Sequence, residues 1–153
     1  MTKEISPYSQ QLTTLGERLQ TFVQEINRQN LLNMATDKWS VKNVLCHIVF
    51  WHRYYAQQYA ALANGKTPFI FKSSGGSTRN QEGVESMKHS SKSELIILLF
   101  DAQQLLSKSI MEKNVIEMNY TDRKTYKTGD FLDMIIDHIE RHTKQIVKSK
   151  NVV

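Results

Sequence analysis

The chain has 153 residues, a length typical of one domain, and we expect a single domain over residues 1–153. Its 40% hydrophobic and 23% charged residues are ordinary for a globule and argue against disordered and fibrous classes. The longest purely apolar run, residues 95–100, has six residues. A membrane-spanning helix needs roughly 20, so no membrane segment is expected.

Charge and cysteine content narrow the expected partners and location. The formal charge is +5, but 20 basic residues are interspersed with 15 acidic ones. The sequence therefore shows no cluster of basic residues of the kind that binds nucleic acid. The single cysteine, Cys46, excludes an intrachain disulfide and a cysteine-based zinc cage. The polar start of the sequence does not resemble a secretory signal. We therefore expect a cytoplasmic protein.

Two helices are predicted in the first part of the chain. In the first, apolar residues alternate at spacings of four and three, which indicates one buried stripe; they are Tyr8, Leu12, Leu15, Leu19, Phe22 and Ile26. The second is predicted to begin after Ser40, a favourable N-cap, and to end at Asn64 and Gly65. Its stripe comprises Val41, Val44, Leu45, Ile48, Trp51, His52, Tyr55, Tyr59 and Leu62. Cys46 lies roughly 160° from Ile48 around this helix and is expected to face away from the core.

Two further helices are predicted in the second part, with less regular segments around them. Residues 65–83 hold four of the six glycines and show no helical period, so a long loop is expected. The third helix begins near Ser91, which can form a capping box with Glu94. Its predicted buried residues are Leu95, Leu98, Leu99, Ala102, Leu105, Leu106 and Ile110. The fourth helix follows Thr128 and buries Phe131, Leu132, Ile135, Ile139 and Ile146.

The residues between the third and fourth helices form a connector with no visible β-period. Val115 and Ile116, within this connector, are expected to cover one end of the core. The predicted fold is therefore all-α, an antiparallel four-helix bundle.

The histidines are the most informative polar residues. His138 and His142 are four residues apart on the fourth helix, so both rings leave one side about a turn apart. Both fall within the apolar stripe, where polar rings need hydrogen-bond partners or a metal ion. On the second helix, periodicity places His52 within the stripe and His47 at its margin, so spacing alone leaves the third ligand open. His52 is also consistent with a core histidine bonded to a neighbouring helix.

Two motifs carry a resemblance to a known family. The segments KWSVKNVLCHIVFWH (residues 38–52) and DHIERHTKQI (residues 137–146) resemble the DinB/YfiT-like family of four-helix bundle proteins. That family places a metal-binding histidine eight residues after a tryptophan and carries His-x-x-x-His with a following Gln on its last helix. The resemblance implies a metal triad of His47, His138 and His142, and His52 is a candidate second polar group for catalysis.

Other features are similar to a related branch. The glycine-rich segment, Asn80 and the stretch MNYTDRKTYKTGDFLDMIIDHI resemble the ClbS/DfsB branch, some of whose members act without a metal. The best known members are similar to cyclopropane hydrolases. The connector departs from that branch because it has Tyr120 and Tyr126 but no Trp.

Three functions follow as hypotheses. The first is a metal-dependent enzyme that performs hydrolysis or thiol transfer on a small molecule, with Zn²⁺ or Ni²⁺ on three neutral imidazoles. This activity would serve stress or toxin resistance. The second is a metal-free hydrolase or sequestering protein, and the third is a non-enzymatic dimeric interaction module. The fold type also suggests a homodimer.

Overall fold

The computed structural model describes residues 7–66, 76–112, 117–121 and 124–150, and this part of the chain is mainly helical. Its helices and strands, in chain order, are α1 (Ser9–Arg28), α2 (Val41–Ala63), α3 (Gly76–Met87), α4 (Lys92–Glu112), β1 (Glu117–Thr121), β2 (Lys124–Lys127) and α5 (Thr128–Val147). The all-α prediction is confirmed at this level. Within the described residues, every helix is too short or too polar to cross a membrane.

The predicted helix boundaries are close to those observed. Ser40 caps α2 in a reciprocal capping box: its hydroxyl accepts the backbone N–H of Asn43, and the Asn43 side chain accepts the backbone N–H of Ser40. The same helix ends before Gly65, whose φ of 71° is the left-handed conformation that favours glycine. Ser91 accepts the backbone N–H of Glu94 at the start of α4, as predicted.

The predicted loop over residues 65–83 is wrong in its last part, where α3 begins at Gly76. Residues 67–75 lie outside the described residues. Helix α3 has 12 residues, and only Val84 and Met87 are large apolar side chains buried against the core. Two such residues over three turns show no apolar period, so the sequence did not predict this helix. Its stability comes from packing on α2.

The absence of a visible β-period was also misleading, since β1 and β2 form an antiparallel hairpin before α5. Its register pairs Glu117 with Lys127 and Met118 with Tyr126. Strands of five and four residues are too short for alternation to stand out. Val115 and Ile116, predicted to cover the core, lie outside the described residues.

Helix α2 is the central element of the core. It packs most extensively against α4, while α1 packs against α5, and α3 and α5 also contact α2. The predicted stripes of α1, α2 and α5 are buried apart from Tyr8 and Leu62, which are partly exposed.

Because α2 is contacted on several sides, residues outside its predicted stripe are buried as well. Cys46 has no exposed surface, so the prediction that it faces away from the core is wrong. On α4, Leu98 is only partly buried and Leu105 is 39% exposed, which corrects the prediction that both face the core.

Candidate metal centre

Three histidines from two helices meet near the start of α2. His47 comes from the second turn of α2, and His138 and His142 come from successive turns of α5. One ring nitrogen from each lies within 4.8 Å of the others, so the three can hold one metal ion. The three ring centroids are 4.7 to 5.1 Å apart. The structure thus brings together the triad that the family resemblance implied.

His47 is the most enclosed of the three. It is 5% exposed, although periodicity put it at the margin of the α2 stripe. Its Nε2 lies 3.0 Å from Nε2 of His138, and its ring packs on the indole of Trp39 with centroids 4.8 Å apart. Its Nδ1 is buried and has no hydrogen-bond partner within the described residues. Among the described residues, Nε2 is therefore the nitrogen of His47 that makes a polar contact.

The orientation of His142 is set by a neighbour one turn further along α5. Its Nδ1 lies 2.7 Å from Oε1 of Gln145. An amide oxygen only accepts, so Nδ1 carries the proton and Nε2 keeps its lone pair. A metal-binding histidine is usually held in this way by its second nitrogen. Gln145 therefore prepares His142 to bind through Nε2.

The environment keeps all three rings neutral. Burial, followed by the charges of His142 and Arg141, lowers the pKa of His47 to about 3. Burial, followed by the charges of His142 and His47, lowers the pKa of His138 strongly. Burial also lowers the pKa of His142 against the opposing effect of its bond to Gln145. Metal ions bind the neutral imidazole, so burial favours the competent form at neutral pH.

The distances fit a metal ion with a small adjustment. Two imidazole nitrogens bound to tetrahedral zinc at 2.0–2.1 Å are about 3.3 Å apart. The 3.0 Å between His47 and His138 is close to this value, whereas a separation of 4.8 Å requires the rings to draw together by about 1.5 Å. Three nitrogen donors without a fourth protein ligand are typical of a catalytic rather than a structural site.

His52 does not join this cluster. It is 1% exposed, and its Nε2 lies 2.9 Å from Oε1 of Gln103 on α4. Its Nδ1 is buried without a partner within the described residues. This is the arrangement of a core histidine bonded to a neighbouring helix, which periodicity had left as an alternative.

An open cavity of about 330 Å³ adjoins the histidine cluster at His142. Its lining residues come from the segment before α2, from α3 and from α5: Thr36, Asp37, Lys38, Trp39, Asn80, Gln81, His142 and Gln145. Helix α3 is held beside it because Trp51 Nε1 donates to Oδ1 of Asn80 at 2.7 Å. The approach is so close at Gly83 that an added Cβ would lie 2.6 Å from the Phe50 ring. Of the three histidines, His142 is therefore reachable from this cavity, whereas His47 is only 5% exposed.

Three other ionisable residues close in sequence to α3 or to the α5 histidines do not take part in the cluster. Glu140 forms an ion pair with Arg18, with Nε and Oε1 2.7 Å apart. The Asp137 side chain is 76% exposed and faces Arg141. His89 is exposed in the turn after α3. None of these residues belongs to the group that can hold a metal ion.

Comparison of the chain with protein-family models, with curated proteins and with solved structures finds no match in any of the three. The likeness to the DinB/YfiT-like family and to the ClbS/DfsB branch therefore stays a prediction based on the quoted motifs.

Two amide side chains at these sites were not assigned roles from the sequence. Gln145 was noted as part of a motif, and its spacing of three from His142 is the signal that could have shown its role. Gln103 has no such signal, because it lies 51 residues from its partner His52. Its role depends on how α2 packs against α4.

Proposed function

We propose that the protein is a metal-dependent enzyme acting on a small molecule, with His47, His138 and His142 as the ligands of one Zn²⁺ or Ni²⁺ ion. The observation that carries the proposal is the approach of three neutral imidazole nitrogens to within 4.8 Å beside an open cavity. Hydrolysis and thiol transfer are the proposed reaction types, and the proposed architecture is an antiparallel four-helix bundle of the DinB-like type. Stress or toxin resistance is the proposed role.

The chain's own residues would prepare this site. Gln145 fixes the His142 ring by accepting its Nδ1–H. Trp39 packs on the His47 ring and shields it from water. The Tyr55 hydroxyl lies 3.5 Å from Nδ1 of His138, a long contact on the side of the ring away from His47. When bound, a divalent ion would act as a Lewis acid that activates water or a thiol near neutral pH.

One observation favours a second candidate, a metal-free hydrolase or sequestering protein of the ClbS/DfsB type. The 3.0 Å between His47 and His138 is also a hydrogen-bond distance if one Nε2 carries a proton. In that case the two rings satisfy each other without an ion. Metal content separates the two candidates.

The experiment uses tag-free protein, because a histidine tag would bind metal itself. The protein is stripped with EDTA, dialysed against Zn²⁺ or Ni²⁺, and its metal content is measured. We expect about one ion per chain and restored hydrolysis of p-nitrophenyl acetate or restored transfer of a small thiol to an electrophile. His142→Ala should abolish both, with a helical circular dichroism spectrum as the control for folding. Wild-type protein that retains no ion would overturn the proposal and leave the metal-free candidate.

A further inference from the structure

The cavity beside His142 contains amide groups whose orientation is set by hydrogen bonds on their far sides. Asn80 is the first. Its Oδ1 accepts the indole N–H of Trp51, which is only a donor, so the oxygen must face Trp51. The NH₂ group is then directed away from the indole, and no described residue accepts from it. Asn80 therefore offers a donor to the cavity that it lines.

Gln145 is the second such amide. Its Oε1 is occupied by Nδ1 of His142 at 2.7 Å, so its NH₂ group also remains as a donor. Gln145 lines the same cavity and is partly exposed. By contrast, Gln81 donates through its NH₂ group to Glu85 at 3.2 Å and is less available to a ligand. Two walls of the cavity thus present oriented donors.

The charged and aromatic lining completes the chemical character of the cavity. Lys38, which is exposed, and Trp39 also line the cavity, and they bring an ammonium group and an indole to this part of the molecule. Asp37 is the only carboxylate among the described lining residues and adjoins Lys38 in the sequence. The amide oxygens of Asn80 and Gln145 are occupied, so these two residues offer donors to a ligand, and donors favour a ligand that carries acceptors.

We propose that this cavity binds a small molecule that carries a carboxylate beside a flat apolar group. The NH₂ groups of Asn80 and Gln145 and the ammonium of Lys38 recognise the carboxylate, while Trp39 packs against the apolar part. This inference rests on the proposed function, since it names the substrate class of the site that the three histidines form.

The test compares two flat probes of nearly the same shape and opposite hydrogen-bonding character. Benzoate carries only acceptors, and benzamidine carries only donors at neutral pH. Both are titrated into tag-free, EDTA-treated protein, so that no carboxylate can bind through a metal ion, and binding is followed by tryptophan fluorescence and amide chemical shifts. We expect benzoate to bind about ten-fold more tightly or better, because each hydrogen bond to a charged group contributes about 1.4 kcal/mol or more.

Asn80→Asp is the decisive variant. It keeps an oxygen for the Trp51 indole but replaces the NH₂ donor with an acceptor. We expect benzoate affinity to fall about ten-fold. The matched control, Gln81→Glu, adds the same charge at another lining residue whose NH₂ group is already bonded to Glu85, so it should weaken benzoate clearly less than Asn80→Asp does. Equal affinity for the two probes, or equal effects of the two variants, would overturn the proposal.

Metal content, measured separately, distinguishes failure here from failure of the proposed function. A protein that binds zinc but does not prefer benzoate would contradict only the carboxylate site. A protein that prefers benzoate through Asn80 but holds no metal would contradict only the metal-dependent enzyme.

Discussion

The two buried histidine sites on α2 differ in what surrounds the ring. His47 and His52 are separated by about one and a half turns of the same helix, and they are only 5% and 1% exposed. Burial is the largest cause of a lowered pKa at both. His52 meets the amide oxygen of Gln103, whereas His47 meets the rings of His138 and His142.

This difference decides which site gains from a metal ion. An amide oxygen accepts the proton of a neutral imidazole, so the His52 site is satisfied at Nε2 by the protein alone. At the His47 site, Nε2 of His47 faces Nε2 of His138 at 3.0 Å. Two nitrogen lone pairs at this distance repel each other unless a proton or a cation lies between them. Burial alone therefore does not identify a ligand; the chemistry of the neighbouring group does.

The largest expected effect comes from removing one ligand of the cluster. His142→Ala should lower zinc affinity by about a thousand-fold, or about 4 kcal/mol, because one of three protein ligands is lost. Competition with a zinc-binding dye measures this change. His52→Ala is the matched control and should leave zinc affinity unchanged. Equal losses in both variants would remove the distinction between the two sites.

The next effect concerns acid stability and the His52 site. The pKa of His52 falls from 6.5 to about 4 in the folded protein, so the unfolded chain binds more protons between these pH values. The contribution of His52 to folding stability is therefore fully present above pH 6.5, and about 3 kcal/mol of it is lost as the pH drops to 4.

The measurement is urea unfolding of metal-free protein at pH 7 and pH 4. His52→Leu lacks this titration, so its stability relative to wild type should improve by about 3 kcal/mol on acidification. A constant difference between the two proteins would show that burial does not depress the pKa of His52.

Elements with a long apolar pattern could be predicted from the sequence, whereas short elements could not. Helices of 20 to 23 residues carry several repeats of their stripe, and α1, α2 and α5 were predicted from them. Helix α3 was missed because it buries too few apolar residues to show a period, and the hairpin was missed because its strands have only five and four residues. For His47, the helical angle predicted a position at the margin of the stripe, while the resemblance to the DinB/YfiT-like family implied a metal ligand. The contact between α2 and α5 places it in the cluster.

A smaller effect tests the role of the two glutamines. Gln145→Ala should weaken zinc binding by about ten-fold, or about 1.4 kcal/mol, because His142 loses the partner that fixes its tautomer. Gln103→Ala makes the matching change at His52 and should not alter zinc binding. Calorimetric titration of zinc into both variants measures the difference. Unchanged affinity in Gln145→Ala would show that Gln145 does not orient His142.

The smallest effect tests whether the packing of α3 on α2 stabilises only the region around His47 or also the region around His52. Gly83→Ala places a Cβ 2.6 Å from the Phe50 ring, and we expect about 1 kcal/mol of destabilisation. Gly16→Ala is the control, because its Cβ would meet nothing within 4 Å in α1 and should stabilise by about 0.5–1 kcal/mol. Urea midpoints measure both changes.

Hydrogen exchange localises the effect of Gly83→Ala. Amides of α3 should exchange faster, while those of α4 near Gln103 should not change. Faster exchange in both helices would mean that α3 supports the whole core.

The most direct test of the central claim is anomalous scattering from crystals of zinc-loaded, tag-free protein at the zinc absorption edge. We predict one strong peak about 2.0–2.1 Å from a ring nitrogen of each of His47, His138 and His142. A loaded crystal with no peak there, or with His47 and His138 hydrogen-bonded to each other and no ion between them, would contradict the account.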